Sequence, residues 1–391
     1  MLFVCLAHFT NSYHFLLGKD DAGTWLVTIG MLASPTFVTV SGTVAGFLWT
    51  TRRNFFAHLQ RRLLDRGVFL LSIGHIILAL SGFFTNFGIV NALKRGYITD
   101  AIAIAVIIGP WLVTRLSVKS RLLVAATLFV VNWLAILFWA PHLGPAVFFK
   151  HYFVGIINPD EFGISFSAFP AIPWFAVYLV GTTIGQTVGK FYVTKDKRKG
   201  HALLAKIGVA SFSIGVVAKL AAAAVRHYDP AFSVGHPDVM ALLSSYQKFP
   251  PGPTYLFFFA GAGMLMASFV LEADRRGHAR LVLGQLRQLG EASLFVYALQ
   301  FYLYTVLLRS LHLRYTRLWP IGFIASLGVL ALAATLWNSV NGKRFLTVGL
   351  THFLERRAHH SRDQFVPRRD EAVTTAVQLP RPANVPLSHV S

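Results

Sequence analysis

Two histidines sit inside an apolar run at the start of the chain, MLFVCLAHFTNSYHFLL (residues 1–17), at positions 8 and 14. Imidazole titrates near neutrality, so it can take a proton from an attacking hydroxyl and hand it on. In a segment bound for lipid, an ionisable side chain is expensive to keep and points to function. Residues six apart on a helix lie about 120° from one another. His8 and His14 therefore cannot line one cavity unless the helix breaks between them. Thr10, Asn11 and Ser12 are poor helix formers that would supply such a break. For His8 the competing reading is a packed, hydrogen-bonded histidine. For His14, near the end of its run, it is a solvated interface residue.

Other polar groups within apolar stretches are His75 in LLSIGHIIL, Asn132, Gln186, Gln300 and Glu291. Asn132 and Gln186 read as hydrogen-bonding links between helices. Glu291, in LGEASLF, reads as a carboxylate at the positive end of a helix. His75 is open to a structural or a functional reading. No Gly-rich phosphate loop, HExxH or GxSxG motif is present. The single cysteine, Cys5, excludes an internal disulfide framework and any multi-cysteine metal site, and no metal is expected.

These groups must be positioned by helices. The 391 residues are 54% hydrophobic and 13% charged, with a mean hydropathy of +0.55, about half the charge of a soluble domain. Apolar stretches of membrane-spanning length fall at about 1–17, 24–49, 67–84, 98–114, 121–140, 168–189, 202–225, 253–271, 291–310 and 318–339. The expected fold is all-α, a polytopic membrane bundle of about ten helices. No basic n-region or small-residue cleavage site marks a cleaved signal peptide.

The net charge of +20 sorts by loop. One set of loops and the C-terminal end hold 25 of the 36 Lys and Arg, among them Arg52, Arg53, Arg61, Arg62, Arg115, Arg121, Lys197 and Arg275. The opposite set holds 9, including Lys94, Arg95, Lys150 and Lys248; Lys206 and Lys219 lie within a span and snorkel. This asymmetry reads as membrane topology with both termini in the cytoplasm, not as nucleic-acid binding, for which no motif is present. Residues 1–345 form the expected membrane domain. Residues 346–391, polar and rich in Pro and Arg, form an expected disordered cytoplasmic tail. Two long loops, 141–167 and 226–252, carry Asp160, Glu161, His227, Asp229, His236 and Asp238.

Packing signals are clearer than chemical ones. GTVAG (42–46) and GTTIGQTVG (181–189) place glycines four apart, on one helix face, where a neighbouring backbone can come close. Prolines in FPAIPW (169–174) and KFPPGP (248–253) fall at span entrances, as suits a first helical turn. Pro35 lies deeper in SPTF (34–37), where it would kink its helix or free a carbonyl.

Taken in order, VCLAHF (4–9), SPTFVTVSGTVAG (34–46), RRLLDRGVFLLSIGHI (61–76), FPAIPWFAVYLVGTTIG (169–185), KFPPGPTYLFFFAGAG (248–263) and LGEASLFVYALQFYLY (289–304) resemble a transmembrane acyltransferase family. The family includes heparan-α-glucosaminide N-acetyltransferase and related bacterial membrane proteins. The resemblance implies transfer of an acyl group, usually acetyl, from cytoplasmic acyl-CoA to a hydroxyl or amine of a glycan-like acceptor on the opposite face. It implies a plasma (inner) membrane location and no permanently bound cofactor. It implies that His8, with His14 second, acts as base or acyl carrier, and that Arg52, Arg53, Arg61 and Arg62 hold the phosphates of CoA. Two features depart from it. The family's LDxxRG-like stretch before the first helix has no counterpart here, so only about 10 Å of helix precedes His8. Gln300 stands where relatives carry histidine, and glutamine cannot act as a base. A transporter or flippase-like carrier and a non-catalytic member of the same scaffold remain alternative readings. The acceptor and any homo-oligomer are left open.

Overall fold

The computed structural model describes residues 1–13, 21–83, 89–142, 144–157, 169–245, 247–277, 280–307 and 318–351. His14, Asp160, Glu161 and the tail beyond Thr351 lie outside the described residues. Met1–Gly349 forms one compact unit.

Among the described residues each of the ten apolar stretches is mostly helical, and no β-strand occurs. Lipid offers no partner for backbone polar groups, and helices satisfy them internally. Eight helical segments are long and apolar enough to cross a membrane: Trp25–Thr51, Arg53–Ser81, Ile98–Arg115, Val118–Phe138, Ala171–Val193, Lys197–Tyr228, Pro253–Arg275 and Trp319–Ser339. Two shorter apolar helices, Leu2–Ser12 and Ser293–Leu307, complete the set. The chain is a multi-pass helical membrane protein.

In chain order the helices are α1 (Leu2–Tyr13), α2 (Asp21–Gly30), α3 (Ala33–Thr51), α4 (Phe56–Phe69), α5 (His75–Phe83), α6 (Ile89–Lys94), α7 (Ile98–Arg115), α8 (Val118–Phe138) and α9 (Gly144–Phe149). There follow α10 (Ala171–Val193), α11 (Lys197–Tyr228), α12 (Pro230–Gly235), α13 (Pro237–Leu242), α14 (Pro253–Arg275), α15 (Arg280–Glu291), α16 (Ser293–Phe301) and α17 (Trp319–Ser339). π-Helical turns at Leu70–Gly74 and Tyr302–Leu307 join α4 to α5 and extend α16.

α3 and α10 meet backbone to backbone along a close seam. A Cβ at Gly42 would strike the Tyr178 carbonyl, and one at Gly46 the Thr182 carbonyl. From the other side, a Cβ at Gly181 would meet the Thr39 carbonyl and one at Gly185 the Thr43 carbonyl. The glycine spacing thus does what small residues do in lipid: it lets two backbones touch.

Pro35 lies in the first turn of α3, just after a break at Met31 and Leu32. Proline has no N–H to give the Met31 carbonyl four residues back. The Tyr255 hydroxyl donates to that carbonyl instead, at 3.1 Å, and so ties α14 to the break. The freed carbonyl is taken by a side chain, not left to a cavity.

Several charges counted as loop residues are structural. Arg121 is fully buried and donates to the Thr182 hydroxyl at 2.8 Å and to the Gln186 amide oxygen, tying α8 to α10. Lys150 is buried and donates to the Trp139 carbonyl at the C-terminal end of α8, where a cation suits the helix dipole. Asn132 donates to the Val154 carbonyl at 3.2 Å, a link of the expected kind. Glu291 corrects its reading: it ends α15, not starting a helix, and pairs with Arg287 one turn back at 3.0 Å.

Candidate active site

α1 brings His8 into a cavity of about 300 Å³. The helix runs unbroken through Thr10, Asn11 and Ser12 to Tyr13, so the expected break is absent. Intrinsic propensity is a weak prior beside tertiary packing, and here Cys5 and Phe9 are fully buried against α16 and α17. An unbroken helix puts His8, Asn11 and Ser12 on one face, and all three line the cavity. The His8 ring packs 4.5 Å from the Phe301 ring and meets Tyr297 edge-on at 5.8 Å. The imidazole is thereby held between the cavity and an aromatic wall.

The opposite wall is the segment Arg95, Gly96 and Tyr97 that enters α7. A buried carboxylate fixes it. Asp100 accepts from the Tyr97 backbone N–H at 2.8 Å, closing the first turn of α7. It also pairs with Nδ1 of His75 at 3.0 Å. The other ring nitrogen of His75 lies 2.9 Å from the Leu93 carbonyl. His75 therefore clamps both ends of the 93–100 segment and sits behind the cavity wall, not in it. Asp100→Ala would strand the Tyr97 N–H and His75. It is expected to cost about 1–3 kcal/mol, seen as a lower melting temperature in detergent, with Asp100→Asn recovering part of the loss.

Lys248 and Phe249 close a third side, and Ser34 and Phe37 of α3 a fourth. The Lys248 ammonium lies 5.6 Å from the centre of the Phe169 ring and 5.1 Å from that of Phe249. Burial pushes it down to about 8.

Across Tyr297 a second cavity opens, of about 280 Å³ and almost wholly apolar. Phe69, Gly74 and Leu78 line it from α4–α5, Ala298 and Tyr302 from α16, and Trp337 and Leu346 from the end of α17 and beyond. Tyr297 belongs to both cavities. Leu346 is held in place by its neighbours: the buried Asp65 accepts from the Val348 N–H at 2.9 Å and from the Thr347 hydroxyl.

Of the four arginines singled out, Arg52, Arg53 and Arg62 line one recess of about 640 Å³ between the end of α3 and α4, with His58 beside them. Arg53 stacks over the Trp49 ring at 5.0 Å. Arg61 is not part of its wall. Asp238, in the first turn of α13, is exposed and lies outside the His8 cavity. Gln300 is fully buried on α16, the helix that carries Tyr297 and Phe301, and does not line the cavity.

Residues 1–217 match the family model described as heparan-alpha-glucosaminide N-acetyltransferase, catalytic. The chain belongs to that family. It is a family of membrane acyltransferases, so this is the class to which the His8 cavity must be fitted. No curated protein matches the chain, and no solved structure matches it. The matched residues include His8, the Arg95–Tyr97 wall and the arginine recess. Lys248, Tyr297 and Phe301, which complete the cavity, come from beyond them.

Asp100 and Lys248 were missed as site residues. Asp100 carries a signal of the same kind as His8, an ionisable group inside the apolar stretch ITDAIAIAV. Lys248 was visible only as one more loop charge in KFPPGP.

Proposed function

We propose that the protein is an integral membrane acyltransferase of the plasma membrane. It takes an acyl group, acetyl by family, from acyl-CoA at the cytoplasmic face and passes it to a hydroxyl or amine of a glycan-like acceptor at the other face. The observation that carries this reading is the place of His8, in the wall of a cavity that also holds Asn11, Ser12 and Lys248, and one aromatic ring away from an apolar one. The face bearing Arg52, Arg53 and Arg62 is the cytoplasmic one, in keeping with the excess of basic residues there. Guanidinium groups suit phosphate oxygens, so this recess is assigned to the phosphates of CoA.

The chemistry follows from the groups present. Neutral His8 takes the proton of the acceptor as its nucleophile attacks the thioester carbonyl. The new acyl bond forms, the C–S bond breaks, and the thiolate leaves with the proton returned by the imidazolium. The rings of Tyr297 and Phe301 fix the imidazole and keep bulk water from the thioester.

The test is transfer of label from radioactive acetyl-CoA to acceptor by the purified protein in detergent. Label on an acceptor supports the reading. Absence of both transfer and acyl-CoA binding sinks it. Replacing Arg52, Arg53 and Arg62 together by Gln is expected to raise the KM for acyl-CoA at least about tenfold, since each charged hydrogen bond is worth about 1.5–3 kcal/mol, with kcat little changed. An unchanged KM would remove the recess from the donor site.

A further inference from the structure

We propose that the His8 cavity is built for an acidic acceptor, one carrying a carboxylate or phosphate that docks on Lys248, and that the acyl group goes to a hydroxyl of that acceptor and not to an amine. The inference rests on the acyltransferase reading and narrows its substrate.

The cavity's charge is one-sided. Lys248 and Arg95 both line it, and among the described residues no aspartate or glutamate does. The buried carboxylate behind the cavity wall, Asp100, is already engaged by His75 and the Tyr97 N–H. Among the described residues Lys248 makes no ion pair. Its neighbours are the faces of Phe169 and Phe249, which stabilise a cation without neutralising it. A half-buried ammonium kept in this way is a poor structural device, because desolvation goes uncompensated until an anion arrives. Burial lowers its affinity for the proton, to about 8, yet leaves it charged at neutral pH.

The same charge argues against an amine acceptor. A primary amine near neutrality is largely an ammonium, and the Lys248 ammonium in the wall would repel it before it could shed its proton. A hydroxyl on an anionic molecule meets no such barrier. Its anionic group is drawn to Lys248, and Asn11, Ser12 and Ser34 offer hydrogen bonds to its remaining polar atoms. The step balances without any further reagent: the hydroxyl proton passes to His8, the ester C–O bond forms, the thioester C–S bond breaks, and the thiolate takes up the proton.

The experiment compares four acceptors with labelled acetyl-CoA: methyl glucuronide, glucose 6-phosphate, methyl glucoside and methyl glucosaminide. At least one of the two acidic compounds is expected to show a kcat/KM about tenfold or more above the neutral glucoside, and which one identifies the anion. Lys248→Gln is expected to reduce that compound to the level of the glucoside, and Lys248→Arg to keep the preference. Both variants should melt as the wild type does, so the readout is selectivity, not folding. Equal use of acidic and neutral acceptors, a preference that survives in Lys248→Gln, or better use of the glucosaminide would each overturn the proposal. Binding is read separately by the shift in melting temperature that the acidic compounds produce without acyl-CoA. If no compound is acylated and acyl-CoA does not bind, the acyltransferase reading fails. A shift with an acidic compound that Lys248→Gln abolishes would still uphold the anion site, and no shift would overturn it.

Discussion

His8→Ala is expected to lower acyl transfer by about 10²–10⁴-fold, the usual contribution of a positioned general base. The loss should appear in kcat, with binding of acyl-CoA unchanged, because the arginine recess is separate from the His8 cavity. The protein should still fold. His8 is half-buried, and its deletion gives up two ring contacts, each worth about 0.5–1.5 kcal/mol. His8→Gln separates chemistry from packing. Glutamine keeps most of the volume and can hydrogen-bond, but it cannot take a proton at neutral pH. If His8 is the base, Gln is nearly as inactive as Ala. If His8 only packs against Tyr297 and Phe301, Gln restores most of the activity lost in Ala. A His8→Ala protein that transfers at the wild-type rate would remove the histidine from the mechanism altogether.

The helices were legible in the sequence because lipid imposes a simple rule, about twenty apolar residues per crossing, and among the described residues eight of the ten stretches form helices long enough to meet it, with two shorter. The α3–α10 seam was legible for a similar reason. Glycines four apart have one common use in lipid, and Gly42, Gly46, Gly181 and Gly185 all serve it. His8 stood out as an ionisable group in an apolar run. What could not be read was which distant residue would join it. Lys248 lies far along the chain, and its charge looked like any other loop charge until the fold set it against Phe169 and beside His8. Arg121 shows the opposite failure. It counted as a surface charge reporting topology, whereas the fold buries it between two polar side chains of α10. Positional rules about loops treat charges as solvated, and that assumption breaks wherever a loop residue is the first turn of a packed helix. The break between α2 and α3 was half legible. Pro35 signals a lost hydrogen bond, but that Tyr255 would supply the missing donor depends on α14 lying alongside.

Gly185→Leu is expected to abolish recovery of monodisperse protein from detergent, whereas Gly328→Leu should leave it intact. Both glycines lie inside spanning helices, α10 and α17, so helix propensity favours the substitution equally at each, by up to about 1 kcal/mol. Their surroundings differ. A Cβ at Gly185 would run into the Thr43 carbonyl of α3, which is backbone and cannot rotate away. At Gly328 nothing lies within 4 Å. Overpacking a tight contact costs about 1–3 kcal/mol, and more where backbones must part. At Gly185 a Leu must push α3 from α10 along a seam that Gly42, Gly46 and Gly181 also hold closed. The consequence would reach the chemistry, because α3 carries Ser34 and Phe37 of the His8 cavity at one end and leads into the arginine recess at the other. Gly185→Ala grades the effect: it should fold at reduced melting temperature, with acyl-CoA KM and acceptor KM raised together. If Gly185→Leu and Gly328→Leu melt alike, the seam is looser than drawn, and α3 cannot be the rigid element that holds the two sites in register.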